Sequence, residues 1–159
     1  MPFQPDFKKD WQAQKVVKKD GSWIVEGHPP NQVELAWHES PNNTPGLAFV
    51  GLKVTSPVNA ATPPHTHGGA AVSATVIQGR VLNQMICADG YVVGPKVYEK
   101  GESWYEAPGC HHVRSENAGD EEAMFIASLV VDEGVIKRDG LMKGLVVIDA
   151  EAEESKHNG

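Results

Sequence analysis

The chain has 159 residues, 40% hydrophobic and 22% charged, which is the composition of one globular domain with enough apolar mass for a core. Its formal net charge is −7 and its lysines and arginines are scattered, which argues against a nucleic-acid or anionic-membrane surface, because both need clustered positive charge. The N-terminus lacks the apolar stretch of a signal peptide and no segment approaches the roughly 20 apolar residues of a membrane span, so we expect a cytoplasmic protein that binds small molecules.

Taken in chain order, the sequence reads as a series of short strands. Residues 5–17, PDFKKDWQAQKVV, are the only segment compatible with a short helix. Beyond them, short runs rich in Val, Ile, Phe and Trp recur and are separated by turn residues. These runs are WIVE, VELAW, LAFVGLKVT, AVSATVIQG, RVLNQMIC, YVVGPKVYE, SWYEAP, HHVRSEN, EEAMFIASLVV and GLVVID. Asp89-Gly90, between two such runs, predicts a hairpin. About ten short strands predict two packed antiparallel sheets or a closed barrel.

The pattern divides the single domain into four parts. Residues 1–45 are interpreted as an N-terminal extension and first strands that pack on the barrel, and 46–135 as the core barrel. Residues 136–150 are interpreted as a C-terminal strand and 151–159 as a polar tail. We expect the aromatic residues Trp11, Trp23 and Trp37 to pack the first strands onto the barrel or onto a second subunit.

The two cysteines, Cys87 and Cys110, are too few for a disulfide framework. They also do not form the close pairs that are typical of structural zinc sites. We therefore expect buried or partly buried thiols.

Two groups of histidines point to a metal site. In PPHTHGGAAV, residues 63–72, His65 and His67 alternate, so in a strand their side chains share a face and are able to chelate one ion. A lone His-x-His is equally well explained by two solvent-facing loop residues. The second group, His111 and His112, follows the Pro108-Gly109 turn and favours the metal site.

These positions resemble the two motifs of the cupin superfamily of small β-barrels, G-x5-H-x-H-x3-4-E-x6-G and G-x5-P-x-G-x2-H-x3-N. The matching residues are His65, His67 and Gly79 in the first motif and Gly101, Pro108, Gly109, His112 and Asn117 in the second, which has one extra residue in each of two spacers. The resemblance covers roughly residues 60–120 and implies an all-β, cupin-type jelly-roll barrel that forms homodimers. The position of the family's glutamate is Val72, or Ala71 with the shorter spacing, and neither side chain binds a metal.

The resemblance therefore implies a divalent metal ion held by His65, His67 and His112, as in three-histidine members such as acetylacetone dioxygenase. His111 is the weaker candidate, because strand alternation turns it away from His112. An ion held only by neutral imidazoles keeps its full charge, so it attracts an anionic, chelating substrate and lowers the pKa of a bound enol, thiol or water. The resemblance favours Fe(II), while Zn, Mn, Ni and Cu are alternatives.

Glu106 precedes His112 by six positions, where the resemblance implies a carboxylate that lines the metal pocket without being a required ligand. Three interpretations remain open. Glu106 is a base whose pKa rises toward neutrality in an apolar barrel, an exposed strand residue, or a fourth ligand that replaces the missing glutamate.

Two further polar residues are candidates for substrate binding. In RVLNQMIC, the side chains of Arg80, Leu82 and Gln84 share a face if no bulge intervenes, and Gln84 lies deep enough to orient a substrate. Arg114 either contacts a substrate carboxylate or forms an ion pair with the turn at residues 119–122. We also expect a pocket widened by small residues, namely Gly68, Gly69, Ala70, Ala71 and Ala74.

Three functions are compatible with these residues. The leading hypothesis is an Fe(II) dioxygenase that acts on a small, anionic, enolisable substrate. The second is a metal-dependent isomerase, cyclase or lyase in which Glu106 transfers a proton. The third is a non-catalytic module that binds a small molecule and has lost the carboxylate of its site.

Overall fold

The computed structural model describes residues 14–158, in which β-strands dominate. The strands are β1 (Val16–Lys19), β2 (Ser22–Val25), β3 (Gln32–Glu39), β4 (Leu47–Ser56), β5 (Ala61–Thr62), β6 (His65–Thr66), β7 (Ala71–Gln78), β8 (Arg80–Ile86), β9 (Val92–Glu99), β10 (Ser103–Glu106), β11 (His111–Asn117), β12 (Ala123–Asp132) and β13 (Val147–Ile148). The helices are α1 (Glu133–Asp139), α2 (Leu141–Leu145) and α3 (Asp149–His157).

Two antiparallel sheets pack against each other. One sheet has the order β10-β7-β12-β4-β3, and the other has the order β13-β6-β11-β8-β9, with β5 also paired to β11. The N-terminal strands β1 and β2 form a separate hairpin. The prediction of an all-β fold with two packed antiparallel sheets in a jelly-roll arrangement is confirmed.

The core lies between the two sheets because the strands alternate. In β4 and β12, every second side chain is buried along much of the strand, as the period of an extended chain requires. The five-stranded sheet contributes Val50, Val72 and Leu129, while the other sheet contributes Val81 and Met85. Burying each of these side chains contributes about 1.5–3 kcal/mol.

Two residues of the cupin-like motifs have structural roles at strand connections. Gly79 joins β7 to β8 with a φ of +72°, and a Cβ atom there would lie 2.8 Å from the Cα atom of Ala123. The Asn117 amide donates to the backbone oxygens of Ser56, Pro57 and Glu121. These positions therefore hold strand connections together.

The C-terminal region differs from the expected strand and polar tail. Residues 133–145 form two short helices, the strand is limited to Val147–Ile148, and residues 149–157 are helical. The side chain of Asp132 caps α1 by accepting from the Gly134 backbone N–H, so a helix begins directly after β12. Among residues 14–158, no helix combines the length and apolar character that a bilayer crossing requires.

The N-terminal helix expected over residues 5–17 is not formed at its C-terminal end. Val16 and Val17 belong to β1 and pair with Val25 and Ile24 of β2. The rest of that segment up to residue 13, including Trp11, lies outside the described residues.

The expectation of free thiols is wrong, because Cys87 and Cys110 form a disulfide. Ile86 of β8 is the register partner of His111 of β11. Cys87, which follows Ile86, therefore lies opposite Cys110, which precedes His111. The bond joins the end of β8 to the start of β11. A separation of 23 positions along the chain gave no sign of this proximity.

Candidate metal centre

Three histidines converge on the inner face of the six-stranded sheet. His65 of β6 is the register partner of His112 of β11, and His67 follows β6 directly. One potential ligand atom of each histidine lies within 4.8 Å of the other two. His65 and His112 are buried, and His67 is partly buried. The fold therefore brings together the three residues that the sequence singled out.

Backbone carbonyls orient two of the imidazole rings. The Nδ1 atom of His65 hydrogen-bonds to the Pro63 oxygen at 2.8 Å, and that of His67 to the Leu145 oxygen at 2.8 Å. Because a carbonyl accepts only, both rings carry their proton on Nδ1 when neutral and keep a lone pair on Nε2. This arrangement is typical of metal-ligating histidines.

His112 is oriented by a side chain that the sequence analysis did not select. Its Nε2–H donates to the Oδ1 atom of Asn83 at 2.5 Å, which leaves Nδ1 directed toward Glu106 at 2.9 Å. Asn83 is 2% exposed, whereas its neighbour Gln84 is only partly buried. The face of β8 that we expected to line the pocket is therefore the outer face.

Glu106 provides a carboxylate at the same place. Its Oε1 atom lies 2.9 Å from His112 Nδ1 and its Oε2 atom lies 3.5 Å from His67 Nε2. The residue is 4% exposed, which rules out the exposed-strand interpretation. Its register partner on β7 is Val72, the position at which the cupin motif has its glutamate. Directly opposed side chains on neighbouring strands share a face, so the carboxylate of Glu106 lies next to the side chain of Val72. Glu106 thus supplies the carboxylate that Val72 lacks.

The ionisation of these groups reflects their mutual contacts. Burial raises the pKa of Glu106, but the facing imidazoles of His112 and His67 outweigh it and hold the pKa well below its usual range. The expected rise toward neutrality is therefore wrong for the metal-free site. Burial lowers the pKa of His67, but the contact with Glu106 and the hydrogen bond to Leu145 outweigh burial, so the pKa is raised overall. Burial, together with His67 and His112, holds the pKa of His65 well below 6.5.

These residues fit a bound metal ion. His67 Nε2 is a buried ring nitrogen without a hydrogen-bond partner among the described residues, since its contact with Glu106 lacks hydrogen-bond geometry. A buried polar atom without a partner is costly unless a ligand satisfies it. Imidazole nitrogens with one carboxylate oxygen are a donor set suited to divalent iron, zinc, copper and nickel.

The C-terminal segment completes the site, a role that the sequence did not suggest. Leu145, which is fully buried, orients His67 through its carbonyl oxygen, and Ile148 of β13 pairs with His65. Asp149 contacts the Nδ1 atom of His111 through Oδ2 at 2.6 Å. His111 is thus engaged with α3, in agreement with the prediction that it turns away from His112.

The small residues after His67 serve packing more than pocket width. A Cβ atom on Gly68 would lie 2.1 Å from the Gly144 carbonyl oxygen, so the absence of a side chain lets α2 approach the strand. Ala70 is buried in the core, and Ala71 faces away from it with partial exposure. Of the five, only Ala74 lines the cavity beside the histidines.

A cavity of about 50 Å³ lies between the sheets next to the histidines. Its walls are largely apolar, and the lining residues are Asn31, Val33, Leu52, Val54, Thr62, His65, His67, Val72, Ala74, Trp104, Glu106, His112, Ser115, Phe125, Ala127, Leu129 and Val146. Gln84 and Arg114 are not among them, and the Nε atom of Arg114 contacts Glu116 Oε1. The structure therefore places both predicted substrate-binding residues outside the cavity, and Arg114 pairs with its own strand and not with the turn at 119–122.

Comparison with known proteins agrees with this architecture. A family model described as Cupin matches residues 32–143. Among solved structures, TT1209 from Thermus thermophilus has 11% identity and a TM-score of 0.49, with 63% of this chain and 82% of that chain covered. A protein with a double-stranded beta-helix domain from Klebsiella pneumoniae has 17% identity and a TM-score of 0.48, with 69% and 83% covered. A cupin domain from Bordetella pertussis has 15% identity and a TM-score of 0.48, with 65% and 96% covered. None of the curated proteins matches the sequence.

Proposed function

The chain belongs to the cupin family, and on that premise we propose that it is a metal-dependent enzyme, an Fe(II) dioxygenase that acts on a small enolisable organic anion. One observation carries the proposal. Three imidazoles and one carboxylate converge on the wall of a cavity that is otherwise largely apolar. A structural metal site is closed by its ligands, whereas a site that opens into a cavity leaves room for a substrate.

His65, His67 and His112 would hold the ion, with Glu106 as the fourth ligand. Bound Fe(II) would supply Lewis acidity and redox chemistry with dioxygen. Carbonyl oxygens and the Asn83 side chain hold the imidazoles in place, so the protein fixes the donor atoms before the ion binds.

The charge of the site selects the charge of the substrate. Neutral imidazoles leave the +2 charge of an ion unchanged, and a carboxylate binds an ion in its deprotonated form, so Glu106 as a ligand reduces the total to +1. A monoanion neutralises this remainder, whereas a dianion leaves a net negative charge buried between apolar walls, which is costly. This refines the expectation for a site of three neutral ligands, because the carboxylate is present after all.

Glu106 also offers a place for a proton. Its Oε1 atom is engaged with His112, while Oε2 has no hydrogen bond to His67 at 3.5 Å. Because the pKa of Glu106 lies well below its usual range, the Oε2 atom is a weak base, and it would accept only a substrate proton that the bound ion has made more acidic, as when an enolate forms. The apolar walls exclude water and strengthen that interaction.

The same position of Glu106 favours a second candidate, a non-oxidative isomerase, cyclase or lyase. In that reaction Glu106 returns the proton to a different atom of the substrate and no dioxygen is consumed. The two functions share the metal site and differ only in their requirement for oxygen.

The test begins with elemental analysis of protein purified without added metal or chelator. The protein is then loaded anaerobically with Fe(II), and oxygen uptake and anaerobic turnover are measured with diketones, 2-oxo acids, thiols and catechols. We expect His67→Ala to lose the metal, while His38→Ala, at an exposed position of β3, keeps it. Oxygen-dependent turnover supports the dioxygenase, and anaerobic turnover supports the second candidate. Wild-type protein that binds no metal, like His67→Ala, would contradict both and favour a non-catalytic binding module.

Homodimer formation and a cytoplasmic location stay predictions. A disulfide such as Cys87–Cys110 is typical of oxidising compartments, so it bears on the second of these. Counting free thiols in protein that is alkylated at cell lysis tests the location: two free thiols agree with the cytoplasm, and none contradicts it.

A further inference from the structure

The cavity exists because two neighbouring strands carry alanine at the same rung. Ala74 of β7 is the register partner of Ala127 of β12, and both are buried and line the cavity. On the adjoining rung the same two strands pair Val72 with Leu129, which fill the space between the sheets. The two alanines therefore form the floor of the cavity, beside the rung that carries Glu106.

Trp104 forms the wall at one end of this floor. It pairs with Ala74 and lies two residues before Glu106, so the two side chains share a face of β10. Its ring centroid lies 5.1 Å from those of both Tyr98 and Phe125, and 6.5 Å from that of His112. These contacts hold the indole in one orientation next to the histidines.

The indole N–H of Trp104 is a donor without an acceptor. Trp104 is 5% exposed, lines the cavity, and its Nε1 atom has no hydrogen-bond partner among residues 14–158. An acceptor is also available at the cavity wall, because Asn31 donates from Nδ2 to Thr62 and its buried Oδ1 atom is unpartnered. Buried polar groups are normally satisfied, so these atoms are expected to meet a ligand.

The size of the cavity limits that ligand. A single water requires about 10–15 Å³ of such space, so about 50 Å³ corresponds to roughly three to five waters. Covalently bonded atoms lie closer together than neighbouring waters, so this space admits a ligand of about six non-hydrogen atoms. The floor and most of the wall are apolar, so the part of the ligand that faces away from the histidines is compact and apolar.

We propose that Ala74, Ala127 and Trp104 form the substrate seat, and that it takes a small monoanion with one oxygen that accepts a hydrogen bond from the Trp104 indole. This inference rests on the proposed metal site, whose charge selects a monoanion. The short 2-oxo carboxylates have the required charge, size and oxygen atoms, and pyruvate is the probe of choice.

The experiment is calorimetric titration of pyruvate and of its longer homologue 2-oxohexanoate into Zn(II)-loaded protein. Zn(II) takes the place of Fe(II) because it is not redox-active, so the ligand is not oxidised during the titration. We expect pyruvate to bind at least tenfold more tightly than 2-oxohexanoate. Trp104→Phe keeps the aromatic contacts and removes the donor, so it should weaken pyruvate binding about tenfold. Ala127→Leu fills the cavity and should weaken pyruvate binding by at least about tenfold.

Matched controls separate the seat from general effects. Trp37 also has an indole N–H without a partner, but it covers Gly51 on the opposite face of the sheet, so Trp37→Phe should leave pyruvate binding unchanged within about twofold. Ala36→Leu, at an exposed position of β3, is the control for the added bulk. If Ala127→Leu does not fold by circular dichroism, Ala74→Val provides a smaller change at the same rung.

The metal content of every variant is measured first. Wild-type protein that does not bind the added Zn(II) would contradict the proposed function itself. A metal-loaded wild type that binds no 2-oxo acid, or that binds 2-oxohexanoate as tightly as pyruvate, would overturn the substrate seat alone. Equal effects of Trp104→Phe and Trp37→Phe would overturn the assigned hydrogen bond.

Discussion

Moving the carboxylate of Glu106 to the neighbouring strand is the sharpest test of how the site is built. Glu106 and Val72 are register partners with both side chains directed into the core. We expect Glu106→Val to weaken metal binding and the double variant Val72→Glu/Glu106→Val to restore it. The total of buried side-chain volume and charge is the same in the double variant as in the wild type, because the two residues exchange places.

The magnitude follows from the position of the carboxylate among the rings. Its oxygens lie 2.9 Å and 3.5 Å from nitrogens of His112 and His67. At an effective dielectric constant of about 20, two unit charges about 4 Å apart attract each other by roughly 4 kcal/mol. Desolvation of the carboxylate offsets part of this gain. We therefore expect Glu106→Val to cost about 2–3 kcal/mol of metal-binding free energy, which is about 30- to 150-fold in affinity.

The assay is competition with a chromophoric chelator for Zn(II), checked by elemental analysis. The double variant should recover binding to within about tenfold of the wild type, since cross-strand partners are neighbours but do not coincide. Val72→Glu alone is a useful control, because it places a second carboxylate beside Glu106 and should destabilise the metal-free protein by like-charge repulsion. Wild-type affinity in Glu106→Val would refute the role of the carboxylate as a ligand. A double variant no better than Glu106→Val would refute the equivalence of the two positions.

Three further outcomes follow from the contacts around the site. Asn83→Ala should lower metal affinity about 10- to 100-fold by releasing the ring of His112, whereas Gln84→Ala, on the outer face, should leave it unchanged in the same chelator assay. Gly69→Ala should cost about 1–2 kcal/mol in urea unfolding because of its positive φ, and Gly68→Ala should cost more because its Cβ atom would also meet a backbone carbonyl of α2; equal costs would contradict the close approach. The pKa of His65 lies well below 6.5, so only the unfolded chain takes up its proton as the pH falls from about 6.5 to 5. In chelator-treated protein the free energy of unfolding should therefore drop over that interval, by at most about 1.4 kcal/mol per pH unit, and should drop less in His65→Gln.

The shared face of His65 and His67 and the strand start before His112 were predictable from the sequence, because both depend on short-range rules. The alternation of His65 and His67 and the turn at Pro108-Gly109 are local features, and an extended chain turns them into a shared face and a strand start. The apolar alternation likewise predicted two packed sheets. The long-range pairing of His65 with His112 was suggested only by the resemblance to the cupin motifs.

The residues around the histidines depend on register, which the sequence does not display. In the pairing of β8 with β9, the extra residue lies on β9, opposite the segment from Asn83 to Met85, whereas β11 itself carries a bulge between His112 and Arg114. A one-residue bulge exchanges the two faces of a strand, so Arg114 lies on the outer face although it follows His112 by two positions. In β8 the alternation is regular, and the packing of the two sheets decides that Asn83 and not Gln84 points inward. Gln84 and Arg114 therefore both lie outside the cavity.

The sequence by itself determined the all-β architecture and the shared face of His65 and His67, since both follow from patterns that repeat within a few residues, while the resemblance to the cupin motifs added His112. Only the tertiary structure decided that Glu106 faces the position of Val72, that Cys87 bonds to Cys110 and that Leu145 orients His67. Each of these contacts joins segments far apart in the chain. Their formation depends on how the strands and the C-terminal helices pack as a whole, because no local preference of either segment specifies its distant partner.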